Sequence, residues 1–311
     1  MIEEKDLPKI LYIAGYGRCG STLLSILLGN HEEIVSVGEV SLLLDEWENP
    51  NRICSCGEMY SNCKFWGGFL KNEIPHDINK TVRKIENINH LPLLLTNCIP
   101  KQEVETYTSF QNELFKYIWL NSQSSIIVDS SKSARFLTGR FLALHKLARQ
   151  NIYVLHLVRD GIDTLASLLL KGRNWNLEGH NILPPPTALG CSIGWINANV
   201  WSYILGSSLE VKHYMCLKYE YLLTEPEKAL TKIGRFIGFD PKNLIKSIKD
   251  NEGFSIDHHV GGNRIRLKKE IKLKKQRLWE KHNELNLAQK LTFRLVAGWL
   301  QRAYGYPIRH P

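Results

Sequence analysis

Residues Lys9 to Gly29 read KILYIAGYGRCGSTLLSILLG. The run Ile10-Leu11-Tyr12-Ile13-Ala14 is short, apolar and rich in β-branched and aromatic side chains, the composition of a buried parallel strand. A tight turn with Gly15, Gly17 and Gly20 follows. Ser21 to Leu28 then read as a helix that Gly29 stops. Strand, glycine-rich turn and helix N-terminus make an anion cradle. The glycines let backbone N–H groups approach, and the helix end adds partial positive charge. Gly15 and Gly20 have the spacing of a nucleotide triphosphate loop, but Ser21 stands where that loop needs lysine. The cation lies upstream, at Arg18. Lacking the lysine that handles β- and γ-phosphates, the loop suits a ligand without a γ-phosphate.

The chain has 311 residues, 43% hydrophobic and 23% charged, the composition of a globular protein with one large α/β domain. No apolar run reaches the ~18–20 residues of a membrane span. The N-terminus is charged and runs directly into the first strand, unlike a secretory leader. Seven cysteines, an odd number, argue against a disulfide framework. A reducing, cytoplasmic location is expected. The net charge of +9 asks for an anionic partner. No RNA-binding signature or paired zinc-finger spacing points to nucleic acid. Residues 264–277 (RIRLKKEIKLKKQR) carry part of the excess and read as a solvated helix face.

Further motifs follow in chain order. Residues His31 to Glu39 are expected to loop back over the cradle. Glu39, after Gly38, is either an acid favouring a helix start or a carboxylate with a chemical task beside the anion site. Cys54, Cys56 and Cys63 lack a paired Cys-x-x-Cys knuckle. Buried structural thiols above Phe65-Trp66 are expected, with a three-ligand metal site completed from elsewhere as the alternative. Residues 69–123 read as mainly helical. Tyr107, Phe110, Leu114, Phe115, Ile118 and Leu120 form a core stripe. Ser125 to Val128 is a second buried strand ending in Asp129-Ser130-Ser131-Lys132, where open α/β sheets bind ligands. Lys132 would carry its charge into the crevice while a neighbour caps the next helix.

In the stretch Asn151 to Ser167 (NIYVLHLVRDGIDTLAS), Ile152 to Val158 is a third strand with Arg159 at its C-terminal end, followed by a turn at Asp160-Gly161 and a helix starting near Asp163. Arg159 and Ser167 can converge on one phosphate, for which the planar guanidinium is suited. His156 is expected to be a satisfied core histidine. Residues 172–192, with Trp175 and His180, form a long loop expected to be a lid. Trp195 and Trp201 follow as packing residues on a helix. Val211 to Leu217 is a fourth strand, and Pro226 opens a helix that Gly238 closes. His258 to Arg266 reads as a basic turn. Lys268 to Tyr304 reads as helical, with Trp279 and the stripe Phe293, Leu295, Val296, Trp299 and Leu300 in the core.

Taken together, these stretches resemble the PAPS-dependent sulfotransferases. Gly15-Tyr16-Gly17-Arg18-Cys19-Gly20-Ser21-Thr22-Leu23 is similar to their 5′-phosphosulfate loop, with Cys19 replacing the usual first serine. Leu157-Val158-Arg159-Asp160, with Ser167 eight residues after the arginine, is similar to their 3′-phosphate motif. Lys218-Tyr219-Glu220 and Gly262-Asn263-Arg264-Ile265-Arg266 resemble two further segments near the nucleotide. The matches run in family order over residues 10–266.

The resemblance implies a P-loop-type α/β fold: a central parallel sheet flanked by helices on both faces, with a mainly helical acceptor-binding excursion. It implies a single domain over 1–311, with acceptor-side insertions at 40–123 and 172–192 and C-terminal helices at 268–311. The implied donor is 3′-phosphoadenosine-5′-phosphosulfate (PAPS), the product adenosine 3′,5′-bisphosphate (PAP), and the acceptor a hydroxyl or amine of a small molecule or glycan. No metal is implied. Arg18, Cys19, Gly20, Ser21 and Thr22 would hold the 5′-phosphate, and Arg159 and Ser167 the 3′-phosphate. Tyr219, Asn263 and Arg264 would line the nucleotide, with Arg266 closing over it. Lys132, with Arg18, would stabilise charge on the sulfuryl group, and Glu39 would be the general base, with His31, Asp129 and His180 in reserve. Two other functions fit a glycine cradle: a nucleotide kinase or ATPase, which the missing lysine disfavours, and a non-catalytic nucleotide-binding protein.

Overall fold

The alternation along the first strand sets the architecture. In the computed structural model, Ile10, Tyr12 and Ala14 face one layer of packed side chains and Leu11 and Ile13 face the other. A strand buried on both faces needs helices on both sides, and the chain supplies them. The structure describes residues 8–47, 49, 51–71, 74, 77–133, 137–171, 186–209, 213–273 and 284–307.

Strand β1 (Lys9–Ala14) leads through the glycine turn into helix α1 (Ser21–Leu28), then β2 (Ile34–Gly38) and α2 (Leu43–Glu46). A helical excursion follows: α3 (Gly67–Leu70), α4 (Ile78–Glu86), α5 (Leu91–Thr96) and α6 (Lys101–Ser122). The chain re-enters the sheet as β3 (Ile126–Asp129), leaves through α7 (Arg140–Lys146), and returns as β4 (Ile152–Val158). Helices α8 (Gly161–Lys171) and α9 (Ala188–Ser207) precede β5 (Tyr214–Lys218). Then come α10 (Tyr219–Thr224), α11 (Pro226–Ile237), α12 (Lys242–Lys249), the small hairpin β6 (Phe254–Ser255) and β7 (Glu270–Ile271), and α13 (Leu287–Ala303).

The central sheet has order β2-β3-β1-β4-β5 and is parallel throughout. Chain order reverses direction at β1, and such a switch point opens a crevice at the strands' C-terminal ends. Trp66, Tyr107, Phe115, Ile118 and Phe141 cover one face, and α1, α10 and α11 cover the other through Leu24, Leu27, Leu222 and Leu230. A third cluster joins Val158, Leu165, Trp195, Phe293 and Ala297, tying α8, α9 and α13 to the β4 end.

Five expectations need correcting. Residues 31–39 are not all loop: Ile34–Gly38 form the edge strand β2, paired to β3. Strand β5 begins at Tyr214, while residues 210–212 lie outside the described ones. Leu120 is exposed although the rest of its stripe is buried, because α6 ends at Ser122 and its last turn runs past the layer it covers. In α13 the packed face is Phe293, Ala297, Leu300 and Gln301. Leu295 and Trp299 lie on the opposite side at 84% and 58% exposure, so the helical period divides the expected stripe. The basic stretch is no helix face either. It opens with a 3-10 turn over Arg264–Leu267 and passes through β7, and residues 274–277, like Trp279, lie outside the described residues.

His156 matches its expected role. Buried in β4, it donates from Nε2 to Asn199 Oδ1 (3.0 Å) and accepts at Nδ1 from the Tyr214 hydroxyl (2.9 Å). Burial holds its pKa down to about 4.

Candidate functional site

Each strand of the parallel sheet delivers one chemically able side chain to the same end: Arg18 after β1, Glu39 after β2, Lys132 after β3, Arg159 after β4 and Tyr219 after β5. Position at the strands' C-terminal ends follows from topology, and the contacts between these residues follow from the turns.

The β1–α1 turn is the floor. Gly20 precedes α1 with φ 99°, and no side chain caps the helix. The N-cap residue thus offers no side-chain oxygen to the first N–H groups of α1, which suits that helix end to receiving an anion. A Cβ on Gly20 would overlap the Tyr219 ring. Gly20→Ala is expected to lower stability by roughly 2–5 kcal/mol, combining left-handed strain of ~1–2 kcal/mol with overpacking of ~1–3 kcal/mol. Gly17→Ala, with nothing within 4 Å of the new methyl, is the control and should change the urea midpoint little.

Arg159 reaches across the turn. Its Nη1 donates to the Arg18 carbonyl at 2.9 Å, and its guanidinium lies 4.9 Å from the centre of the Tyr219 ring. The LVRD arginine and the glycine turn therefore share one cleft. Burial pushes the Tyr219 hydroxyl pKa up, and Arg159 opposes that shift. Behind Arg159, Asp160 Oδ1 accepts from the Ile162 and Asp163 amides (2.9 and 3.2 Å), so α8 starts at Gly161, two residues earlier than expected. Ser167 lies near the middle of α8, 8% exposed.

On the other side of the turn, Lys132 Nζ and Glu39 Oε1 form an ion pair whose side chains are 13% and 14% exposed. Lys132 and Arg18 both have φ 69° without being glycine. Left-handed backbone at a residue with a Cβ costs about 1–3 kcal/mol and persists where surroundings over-determine it. Around Lys132 those surroundings are visible: the Tyr12 hydroxyl donates to the Lys132 carbonyl, and the Ser133 amide donates to Gly15 O at 3.1 Å. The Cys19 thiol is pushed up by burial, and Lys132 opposes the shift, so this ammonium also acts on the glycine turn.

The backbone around Glu39 is held by the 258–263 turn. Glu39 N donates to Val260 O (2.7 Å), and Val260 N donates to Val37 O (2.9 Å). Gly38 has φ 72°, and a Cβ there would lie 2.5 Å from Val260 O, so only glycine allows this approach. Asn263 N donates to Thr22 Oγ1 at 3.3 Å, which lays the turn on the first turn of α1. Arg266 has a structural partner. It is buried and donates to the Ile53 carbonyl at 3.0 Å, so it braces the 53–63 segment. Arg264, in the same 3-10 turn, is half-buried.

The reserve bases are placed differently. His31 packs edge-on against Phe239, with Nε2 2.9 Å from Asp240 O and Nδ1 accepting from Glu33 N. Asp129 is buried and engaged by Arg140 and Ser131. His180 and Trp175 lie outside the described residues, as do positions 172–185 of the expected lid. Trp66 is core. Its Nε1 donates to His258 O (2.8 Å), and Phe65 stacks on the His258 ring.

The chain belongs to the sulfotransferase family, whose sulfotransferase domain model matches residues 8–296. The sulfotransferase domain of the Synechococcus PCC 7002 olefin synthase has the same fold, with a TM-score of 0.54 at 19% identity, over 99% of this chain and 98% of that one. The sulfotransferase domain of the curacin biosynthetic pathway is comparably similar, with a TM-score of 0.54 at 17% identity, over 97% and 99% of the two chains. No curated protein matches in sequence. Among the described residues no helix is long and apolar enough to cross a membrane.

Proposed function

We propose that the protein transfers a sulfuryl group from PAPS to a hydroxyl or amine of a small-molecule or carbohydrate acceptor. The observation that carries this is the shared cleft: the glycine turn, with its uncapped helix end, and Arg159 stand in direct contact. Two anion grips at that spacing suit a nucleotide phosphorylated at both ends of its ribose. The amides of Gly20, Ser21 and Thr22, with Arg18 and Cys19, receive the 5′-phosphate. Arg159 and Ser167 receive the 3′-phosphate, Tyr219 packs beside them, and Asn263 and Arg264 cover the cleft. Arg266 supports that cover through the 53–63 segment.

The donor supplies an activated sulfur–oxygen bond, and the residues do the rest. Glu39 takes the proton from the acceptor as its oxygen or nitrogen bonds to sulfur. The bond from sulfur to the bridging phosphate oxygen breaks in line. The Lys132 ammonium and Arg18 neutralise the charge that collects on that oxygen, so PAP departs with its 5′-phosphate intact. Fixed cations of this kind do what magnesium does in phosphoryl transfer, and the step is routed through no metal.

The test is sulfate transfer from labelled PAPS onto a panel of hydroxyl and amine acceptors, together with calorimetry of PAP binding. Arg159→Ala is expected to weaken PAP binding about 10–100-fold, the worth of a charge-assisted hydrogen bond of ~1.5–3 kcal/mol. Ser167→Ala should weaken PAP but leave adenosine 5′-phosphate unchanged, because only PAP carries the 3′-phosphate. An equal effect on both nucleotides removes Ser167 from the 3′ site.

A further inference from the structure

Three cysteines and a histidine from distant parts of the chain converge beside the cleft. The ligand atoms of Cys54, Cys56, Cys63 and His258 lie within 4.8 Å of one another. Cys56 Sγ is 3.8 Å from Cys63 Sγ, and His258 Nδ1 is 3.8 Å from Cys54 Sγ and 3.1 Å from Cys63 Sγ. Tetrahedral zinc with the usual bond lengths has edges of about 3.8 Å between sulfurs and ~3.5 Å between sulfur and nitrogen. The three separations lie near those edges, and no two of the four ligand atoms are more than 4.8 Å apart. Buried thiols alone would not account for the arrangement, because Cys56 is exposed, against expectation, and yet turned to the same point.

The local chain is shaped to deliver the ligands. Ile53 and Met59 form an isolated antiparallel bridge. Between them Cys54 N donates to Glu58 O, Gly57 N donates to Cys54 O, and Gly57 turns with φ 92°. This tight hairpin folds Cys54 and Cys56 onto one side. Cys63 follows the 3-10 turn Tyr60–Asn62, and the Trp66 amide points at its sulfur (3.5 Å). The His258 ring is oriented by stacking on Phe65, 5.5 Å between centres and 9° between planes, while its carbonyl accepts from Trp66 Nε1. Outer contacts of this kind fix metal ligands in place.

We propose that these four residues form a structural zinc site of the Cys3His type. Four protein ligands leave no open position, so the ion holds structure and takes no part in transfer. Its effect would be to staple the 53–66 segment to His258, two residues before Val260, which pairs with Val37 and Glu39. The staple would thus set the turn that holds the proposed base, whatever the donor proves to be.

The test uses the full chain expressed with zinc supplied and dialysed without chelator. Elemental analysis should find about one zinc ion per chain. Cobalt introduced in its place should show the intense visible bands of tetrahedral thiolate coordination. Cys56→Ser, at an exposed position, and His258→Gln should each lose the metal, whereas Cys98→Ser, another exposed thiol, should keep it. Chelation should lower the melting temperature of the parent and leave that of Cys56→Ser unmoved. A protein without bound metal, a weak octahedral cobalt spectrum, or a mass two hydrogens light from a disulfide would each overturn the site.

Discussion

Glu39→Gln is expected to lower sulfuryl transfer roughly 10²–10⁴-fold while PAP binds as in the parent, the loss typical of removing a general base. The substitution isolates the chemistry because the backbone of Glu39 does not depend on its carboxylate. The Glu39 amide is held by Val260 O, and the Glu39 carbonyl accepts from Leu42 N at 2.9 Å. Glutamine keeps the side-chain length and can still accept from Lys132, so the turn stays in place and only proton acceptance is lost. Turnover within tenfold of the parent, with a normal burst of product, would take the role away from Glu39. His31 and Asp129 are poor successors, since both are committed to structural contacts.

The ion pair between Glu39 and Lys132 gives this result a second edge. In the structure the proposed base and the proposed cation are each other's partner. A bridging oxygen carrying negative charge offers Lys132 a competing partner, and that competition frees the carboxylate for the acceptor proton. Base and electrostatic stabiliser would then become available together, only when the donor is in place.

The parts of this site that are local in sequence were legible there. The glycine turn, Arg159 and Lys132 each follow a short apolar run that reads as a buried strand, and a parallel sheet carries their ends to one side. The strand β2 escaped notice because Ser36 breaks its apolar run. The structure accommodates that hydroxyl by pairing it with Ser25 of α1. The Cys3His cluster was visible only in part, because its fourth ligand lies 195 residues beyond Cys63. The contact of Arg266 with Ile53 was not legible, because it joins residues 213 positions apart in sequence. The exposed side of α13 shows the limit of counting apolar residues. Leu295 and Trp299 satisfy composition but not the period that faces α9.

A buried charge network carried no sequence signal, and it supports the second large effect. Arg140, on α7, donates to Glu86 of α4 at 2.5 Å and to Asp129, the last residue of β3, at 3.2 Å, with all three side chains no more than 1% exposed. Tyr107 donates a further hydrogen bond to Glu86 at 3.1 Å. Burial pushes the Glu86 carboxyl up, and Arg140 opposes it. Arg140→Met removes the only cation of the trio and strands two carboxylates in the core, so a loss of about 3–5 kcal/mol is expected in urea unfolding. The same change should lower transfer in whatever protein remains folded. Asp129 also accepts from the Ser131 amide at 2.9 Å, and Ser131 leads directly to Lys132. The exposed pair Lys101–Glu105 provides the contrast, since Lys101→Ala should cost no more than ~0.5 kcal/mol. Replacing all three members, as Arg140→Met with Glu86→Gln and Asp129→Asn, should recover most of the stability, because a whole buried ion network is often near neutral to exchange. Recovery of stability without recovery of transfer would separate the two duties of the network: holding α4, β3 and α7 together, and aiming the Asp129–Lys132 turn at the cleft. An Arg140→Met protein as stable as the parent would show that the carboxylates find protons or water instead, and the network would lose its claim on both.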